Sequence, residues 1–204
     1  MIKNIVFDVG QVLMSYTPED YLKNLGFPEE TVWTLMKAIF QSQLWETSDR
    51  GTIPTEEIWD GFRKQAPGYE KEVQTVYENL GDVVELMPYA EEWVKTLKEQ
   101  GYQLYILSNY ADHTYQLSSH KMKFLPYMDG TLFSYAYKMA KPDHEIYEKL
   151  CAMYHLNPQE TVFFDDRKEN IEAARACGIH GILFQNHEQA QKDLKTLLKK
   201  ENEA

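Results

Sequence analysis

The run Asn4-Ile5-Val6-Phe7-Asp8-Val9-Gly10-Gln11-Val12-Leu13 decides how the rest of the chain is read. Its apolar residues follow one another without alternation and lead straight into an aspartate and a glycine. That is the pattern of a strand covered on both faces in a parallel sheet, not of one with a wet side. Ligands of an open parallel sheet collect beyond the carboxyl ends of its strands, so Asp8 stands where a reacting group would stand. Gly10 lets the backbone approach a ligand closely. An isolated aspartate serves equally well as a turn former or a helix cap, so its meaning depends on what other strands bring to the same edge.

Four more short apolar runs have the same character: Gln103–Leu107, Thr131–Tyr135, Thr161–Phe164 and Gly181–Phe184. Helical patterns separate them. Ala90–Gln100 places Trp93 and Leu97 on one face and stops at Gly101; Pro142–His155 carries Ile146, Leu150 and Met153 along one stripe; Ile171–Cys177 stops at Gly178. Strand and helix in alternation predict a doubly wound, Rossmann-like α/β domain. The stretch from Pro18 to Leu80 breaks the alternation with helical patterns only, at Glu30–Trp45, Pro54–Lys64 and Tyr69–Leu80. The expected organisation is therefore a core of residues 1–16 and 84–204 carrying a helical insert of residues 17–83. The segment Lys192–Ala204 reads as a solvated helix end.

The later strands end in polar company. Ser108 and Asn109 follow one, Lys141-Pro142 opens a helix, and Asp165 and Asp166 follow another. Each has a plain interpretation as cap or surface charge. In this order, however, they supply a carboxylate nucleophile, a hydroxyl, an ammonium and a carboxylate pair, which are the means of phosphoryl transfer: attack, contacts to phosphoryl oxygens and a cation site.

The 204 residues suffice to bury a core of their own, and 43% of them are hydrophobic. A net charge of −11 argues against nucleic acid as a partner. The two cysteines, Cys151 and Cys177, lie in helical patterns and read as buried thiols. The charged start and the lack of a long apolar run predict a cytoplasmic protein with no membrane span; the chain is expected to be a monomer or a homodimer, and no pattern in it chooses between them. No Walker loop, dinucleotide glycine motif or zinc-spaced cluster occurs, and His113 near Ser108 lacks a Gly-x-Ser-x-Gly elbow.

The four elements in this order resemble the four motifs of the haloacid dehalogenase (HAD) superfamily, and the resemblance covers essentially the whole chain. It implies that Asp8 is the nucleophile, that Ser108 and the Asn109 backbone bind the phosphoryl group of a small phosphorylated substrate, and that Lys141 neutralises charge. Asp8, Gly10 through its carbonyl, and Asp166 would hold Mg²⁺, with Asp165 in a supporting contact. It makes the insert the cap that closes over the site. The wording Phe-Asp-Val-Gly-Gln-Val-Leu and Phe-Phe-Asp-Asp-Arg-Lys-Glu-Asn-Ile-Glu-Ala-Ala is similar to the branch of bacterial α-glucose-1-phosphate phosphatases and the amino-terminal domain of soluble epoxide hydrolases.

One position departs from the family pattern. Where many members carry an aspartate two residues after the nucleophile as general acid, this chain has Gly10, which gives no proton. A leaving group of low pKa, such as the anomeric hydroxyl of a sugar 1-phosphate, would tolerate the loss best. Arg50, in the turn Asp49-Arg50-Gly51-Thr52, is a further residue able to reach the substrate. The rival readings are a 2-haloacid dehalogenase, which needs no metal, and a catalytically silent ligand sensor that retains the fold.

Overall fold

The computed structural model describes residues 1–202. Strand β1 (Asn4–Phe7) forms where the sequence places it, and the chain then folds back at once. The amides of Leu13 and Met14 both return to the Val9 carbonyl, at 2.9 and 2.8 Å, which curls Gly10 and Gln11 over the end of β1. Strand β2 (Met14–Tyr16) follows, and then five helices: α1 (Pro18–Asn24), α2 (Glu29–Leu35), α3 (Gln43–Arg50), α4 (Thr55–Gln65) and α5 (Glu70–Asn79). Strand β3 (Val84–Leu86) returns antiparallel to β2 with Ser15 opposite Glu85. This two-stranded arm carries the chain into and out of the helices. The sequence reading has no counterpart for it, because three residues are too few to display a period.

Beyond the arm the alternation is regular: α6 (Ala90–Glu99), β4 (Gln103–Ser108), α7 (Asp112–Ser118), β5 (Gly130–Phe133), α8 (Ser134–Tyr137), α9 (His144–Tyr154), β6 (Thr161–Asp165), α10 (Lys168–Ala176), β7 (His180–Leu183) and α11 (His187–Asn202). The five long-range strands make one sheet in the order β5-β4-β1-β6-β7, every neighbouring pair parallel. The expected doubly wound α/β fold is therefore present, with β1 at its centre.

Side-chain alternation builds a layer on each face. Ile5 and Phe7 of β1 join Trp93, Val94 and Leu97 of α6 and Ala190 and Leu194 of α11. Val6 points the other way and joins Ile146, Tyr147 and Leu150 of α9 and Ile171 and Ala174 of α10. Phe7 is fully buried, edge-on to Trp93 at 5.0 Å and stacked on Phe164 at 5.6 Å. Apolar residues of the helical insert, among them Leu35, Ile39, Ile58, Trp59 and Phe62, belong to the same buried cluster as the α6 face.

The structure corrects three expectations about elements. Glu30–Trp45 is not one helix: after α2 the turn at Met36–Phe40 widens, Gln41 N donating to Met36 O five residues back at 2.9 Å, and α3 starts afresh at Gln43. The wide turn brings Ala38, Ile39 and Phe40 in succession to the buried side, which an unbroken 3.6-residue period does not do. The run Thr131–Tyr135 is strand only to Phe133, because Ser134 turns its hydroxyl inward to accept from Tyr110 N at 2.9 Å and the chain enters α8. The solvated carboxyl-terminal helix begins earlier, at His187, and buries Ala190 and Leu194; Glu203 and Ala204 lie outside the described residues.

Truncating a ring held between two others leaves a void that the rigid sheet cannot close. Phe7→Ala is expected to lower stability by about 3–5 kcal/mol, read as a lower denaturant midpoint at unchanged slope.

Candidate active site

The ends of three strands of the sheet, β1, β4 and β6, gather around one buried ammonium. Lys141, on the segment leading into α9, lies 2.9 Å from Asp8 Oδ1 and 2.6 Å from Asp165 Oδ2, and the side chains of all three are almost wholly withdrawn from solvent. Asp8 continues β1, its amide donating to Phe164 O at 2.9 Å, so β6 sets its height. Its Oδ1 also accepts from Val9 N at 2.7 Å, and the buried Ser108 hydroxyl at the end of β4, which donates to Asn109 O at 3.4 Å, lies beside the Asp8 carboxyl and favours its ionised form.

Asn109 does more than its backbone was expected to do. Its Oδ1 accepts from Lys141 N at 2.8 Å while its Nδ2 donates to Lys141 O at 2.9 Å, a reciprocal pair that ties the loop after β4 to the loop before α9. Lys141 is thus held by its backbone on one side and by two carboxylates on the other.

Asp165 and Asp166 are adjacent, yet the structure treats them differently. Asp165 is fully buried and its oxygens are fully engaged: Oδ2 by Lys141, Oδ1 by Arg167 N at 2.8 Å, and both by Asn170 Nδ2 at 3.0 Å. Asp166 is exposed into the cleft. One oxygen from each of Asp8, Asp165 and Asp166 lies within 4.8 Å of the others, an all-oxygen set suited to a hard divalent cation. Three carboxylates against one ammonium also leave an excess of negative charge that such a cation would neutralise.

The cleft over these groups has a volume of about 560 Å³ and is lined by Asp8, Gly10, Tyr16, Trp45, Asp49, Lys141 and Asp166, among others. A smaller recess of about 130 Å³ shares Asp8, Gly10, Tyr16, Trp45 and Asp49 with the cleft and adds Tyr110. Burial dominates the electrostatics. It pushes the Asp8 carboxyl from the ordinary 3.8 up to about 7, against the pull of Lys141 and with the help of Asp165. For Lys141, burial opposes the charge, but Asp165 and Asp8 outweigh it and hold the ammonium above the usual lysine range. Asp166 is raised by burial and by Asp165.

Every residue singled out from the sequence except Arg50 meets at this site. Arg50 points away and pairs with Asp143 at 2.7 Å, because it is the last residue of α3 and faces the approach to α9 rather than the cleft. Its neighbour Asp49 is the residue that lines the cleft, and the sequence reading passed over it. Burial, Asp8 and Glu46 together push Asp49 up to about 7. Tyr16 and Trp45, stacked at 6.3 Å, form the aromatic wall.

The sequence and the fold have relatives. A family model described as haloacid dehalogenase-like hydrolase matches residues 2–178. The chain belongs to the haloacid dehalogenase-like hydrolases. A sesquiterpene phosphatase of Aspergillus oryzae is 27% identical to this HAD-like chain over 88% of each sequence. A D-ribitol-5-phosphate phosphatase of Bacteroides thetaiotaomicron is 26% identical over 97% of this chain and 99% of its own length. Among solved structures, a variant of a HAD family enzyme from Bacteroides thetaiotaomicron, in complex with magnesium and inorganic phosphate, superposes with a TM-score of 0.72 at 25% identity, over 89% of this chain and 93% of that one. Among the described residues no helix is long and apolar enough to cross a membrane.

The raised carboxyls give the metal-free HAD-like fold a distinctive acid response. Between about pH 4 and 7 folded Asp8 and Asp49 retain protons that the unfolded chain has released, so stability falls as pH rises through that window. The Asp8 contribution is at most about 1.4 kcal/mol per pH unit. Melting temperatures of wild type and Asp8→Asn across the window in chelator should differ in this sense, with the asparagine variant showing the flatter profile.

Proposed function

We propose that this chain is a magnesium-dependent phosphatase that hydrolyses a small phosphorylated metabolite through an aspartyl-phosphate on Asp8. The observation that carries the reading is the Asp8–Lys141–Asp165 arrangement with Asp166 beside it. A nucleophile, a fixed positive charge and a cation-binding carboxylate stand around one point at the floor of a cleft. The phosphatase relatives support it, as does the magnesium and phosphate complex of the structural relative.

In this reading Asp8 attacks phosphorus in line with the leaving oxygen, which points up toward Tyr16 and Trp45. Lys141 and the Ser108 hydroxyl take the growing charge on the phosphoryl oxygens, already positioned by Asn109 and Asp165 and therefore needing little rearrangement. Water then hydrolyses the phosphoaspartate. Mg²⁺, held by Asp8, Asp166 and the Gly10 carbonyl, would supply the positive charge that keeps Asp8 ionised and lowers the charge of the phosphoryl group. Asp165 serves by fixing Lys141. Residues 17–83 act as the cap, narrowing access to water from above the core formed by 1–16 and 84–204.

The cleft has the size of a small-molecule site. Its aromatic wall beside the amides of Gln41 and Gln43 suits a sugar or polyol phosphate. A dehalogenase needs no cation, and the placement of Asp166 beside Asp8 favours the phosphatase over it.

Phosphate release from a panel of sugar, polyol and prenyl monophosphates, with and without Mg²⁺, tests the proposal. Turnover should vanish in chelator and fall by roughly 10⁴–10⁶ in Asp8→Asn, as losses of a nucleophile do. A folded, Mg²⁺-binding protein silent across the panel would favour the ligand sensor.

A further inference from the structure

Phosphoryl transfer to Asp8 expels an alkoxide unless a proton reaches the leaving oxygen, and the β1 loop offers none, since Gly10 has no side chain. The absence is not enforced by space: a Cβ built on Gly10 meets nothing within 4 Å. An acid must therefore come from elsewhere in the cleft, or the enzyme is confined to leaving groups that need no proton.

We propose that Asp49 is that acid: a catalytic residue delivered from the last turn of α3 that protonates the leaving-group oxygen. The inference deepens the phosphatase reading and rests on it. Asp49 lines both the cleft and the smaller recess, each of which is also lined by Asp8 and Gly10. Among the described residues its carboxyl makes neither a hydrogen bond nor an ion pair, although the neighbouring Arg50 is fully engaged with Asp143. Helix physics does not account for it either, because a carboxylate in the last turn opposes the helix dipole. Its site is nonetheless fixed firmly. The Asp49 carbonyl accepts from Ser134 Oγ, the same hydroxyl that receives Tyr110 N, and Lys138 Nζ donates to Gly51 O. A Cβ on Gly51, which sits in the left-handed region at φ 63°, would run into the Tyr135 backbone, so α3 ends pressed against the core.

The other acids of the cleft are less suitable. Glu46 faces solvent. Burial and the charge of Asp49 hold the Tyr16 phenol far above its usual range. Among the described residues, Asp49 alone of these combines a carboxyl free of hydrogen bonds with a place in both spaces that Asp8 and Gly10 line, and its burial favours the protonated form that a general acid needs.

The chemistry balances. As the Asp8 oxygen bonds to phosphorus and the phosphorus–alcohol bond breaks, the Asp49 proton passes to the departing oxygen and a neutral alcohol leaves. Asp49, now a carboxylate, accepts a proton from the water that attacks the phosphoaspartate. That second step releases phosphate, frees Asp8 and restores the acid.

Leaving-group dependence tests the role. In Asp49→Asn, kcat/KM for an alkyl phosphate such as ribitol 5-phosphate should fall by about 10²–10⁴. For p-nitrophenyl phosphate, whose phenolate leaves without help, it should fall by less than tenfold. Asp49→Glu, which keeps the acid, should retain more alkyl phosphate turnover than the asparagine variant does. Equal losses on both substrates, with Asp49→Glu no better than Asp49→Asn, would mark Asp49 as merely structural and overturn the inference, as would no loss on either. In both of those cases an inactive Asp8→Asn leaves the phosphatase reading intact. A wild-type chain that hydrolyses neither substrate in Mg²⁺ overturns both.

Discussion

One lysine ammonium, held between two carboxylates in the dry end of a parallel sheet, is the constraint on which this molecule depends. Lys141 sits at the floor of the cleft with its side chain almost wholly withdrawn from solvent, and Asp8 and Asp165 are what make the burial of its charge tolerable. Asp165 in turn needs Asn170 and the Arg167 amide, and the Lys141 backbone needs Asn109. Breaking a buried pair of this kind costs about 3–5 kcal/mol, because the orphaned charge remains. Three strands and two loops thus owe their mutual placement at the reaction edge to a polar network inside a largely apolar fold.

Much of this was legible in the sequence, for a physical reason. Strands covered on both faces are apolar throughout, so the first residue that breaks the run marks the sheet edge. Asp8, Ser108 and Asp165 are those residues, and Lys141 opens the segment that runs into the following helix. The family resemblance likewise gives Asp166 and Asp165 different parts, and the two differ in the structure: the one opens to the cleft, the other is consumed by Lys141 and Asn170. The reciprocal pairing of the Asn109 side chain with Lys141 was not visible, since it joins residues 32 apart whose backbones meet only in the fold.

The cap side of the site was harder to read. In the turn Asp49-Arg50-Gly51 the guanidinium is the longer and more conspicuous group, yet the carboxyl faces the chemistry. Which residue of a helix end faces inward depends on how that helix docks, and docking here is set by Ser134 and Lys138, more than 80 residues away in the chain. The widened turn at Met36–Phe40 shifts the helical phase just upstream, so extrapolating the α2 pattern to α3 gives the wrong face. With an acid on α3, Gly10 no longer restricts the enzyme to sugar 1-phosphates and similar esters of low leaving-group pKa.

The paired bonds between the Asn109 amide and the Lys141 backbone have a consequence for variation as well as for structure. They join the two loops much as one base pair joins two strands: donor and acceptor on one side answer acceptor and donor on the other. An aspartate at position 109 would keep the acceptor and lose the donor, and a leucine would leave both backbone groups buried without partners. Neither loop can therefore be redesigned, shortened or exchanged with a relative's by itself. Substitutions in the two should be strongly non-additive, so a library aimed at new substrates explores more by holding these two loops constant and varying α3 and the wide turn before it.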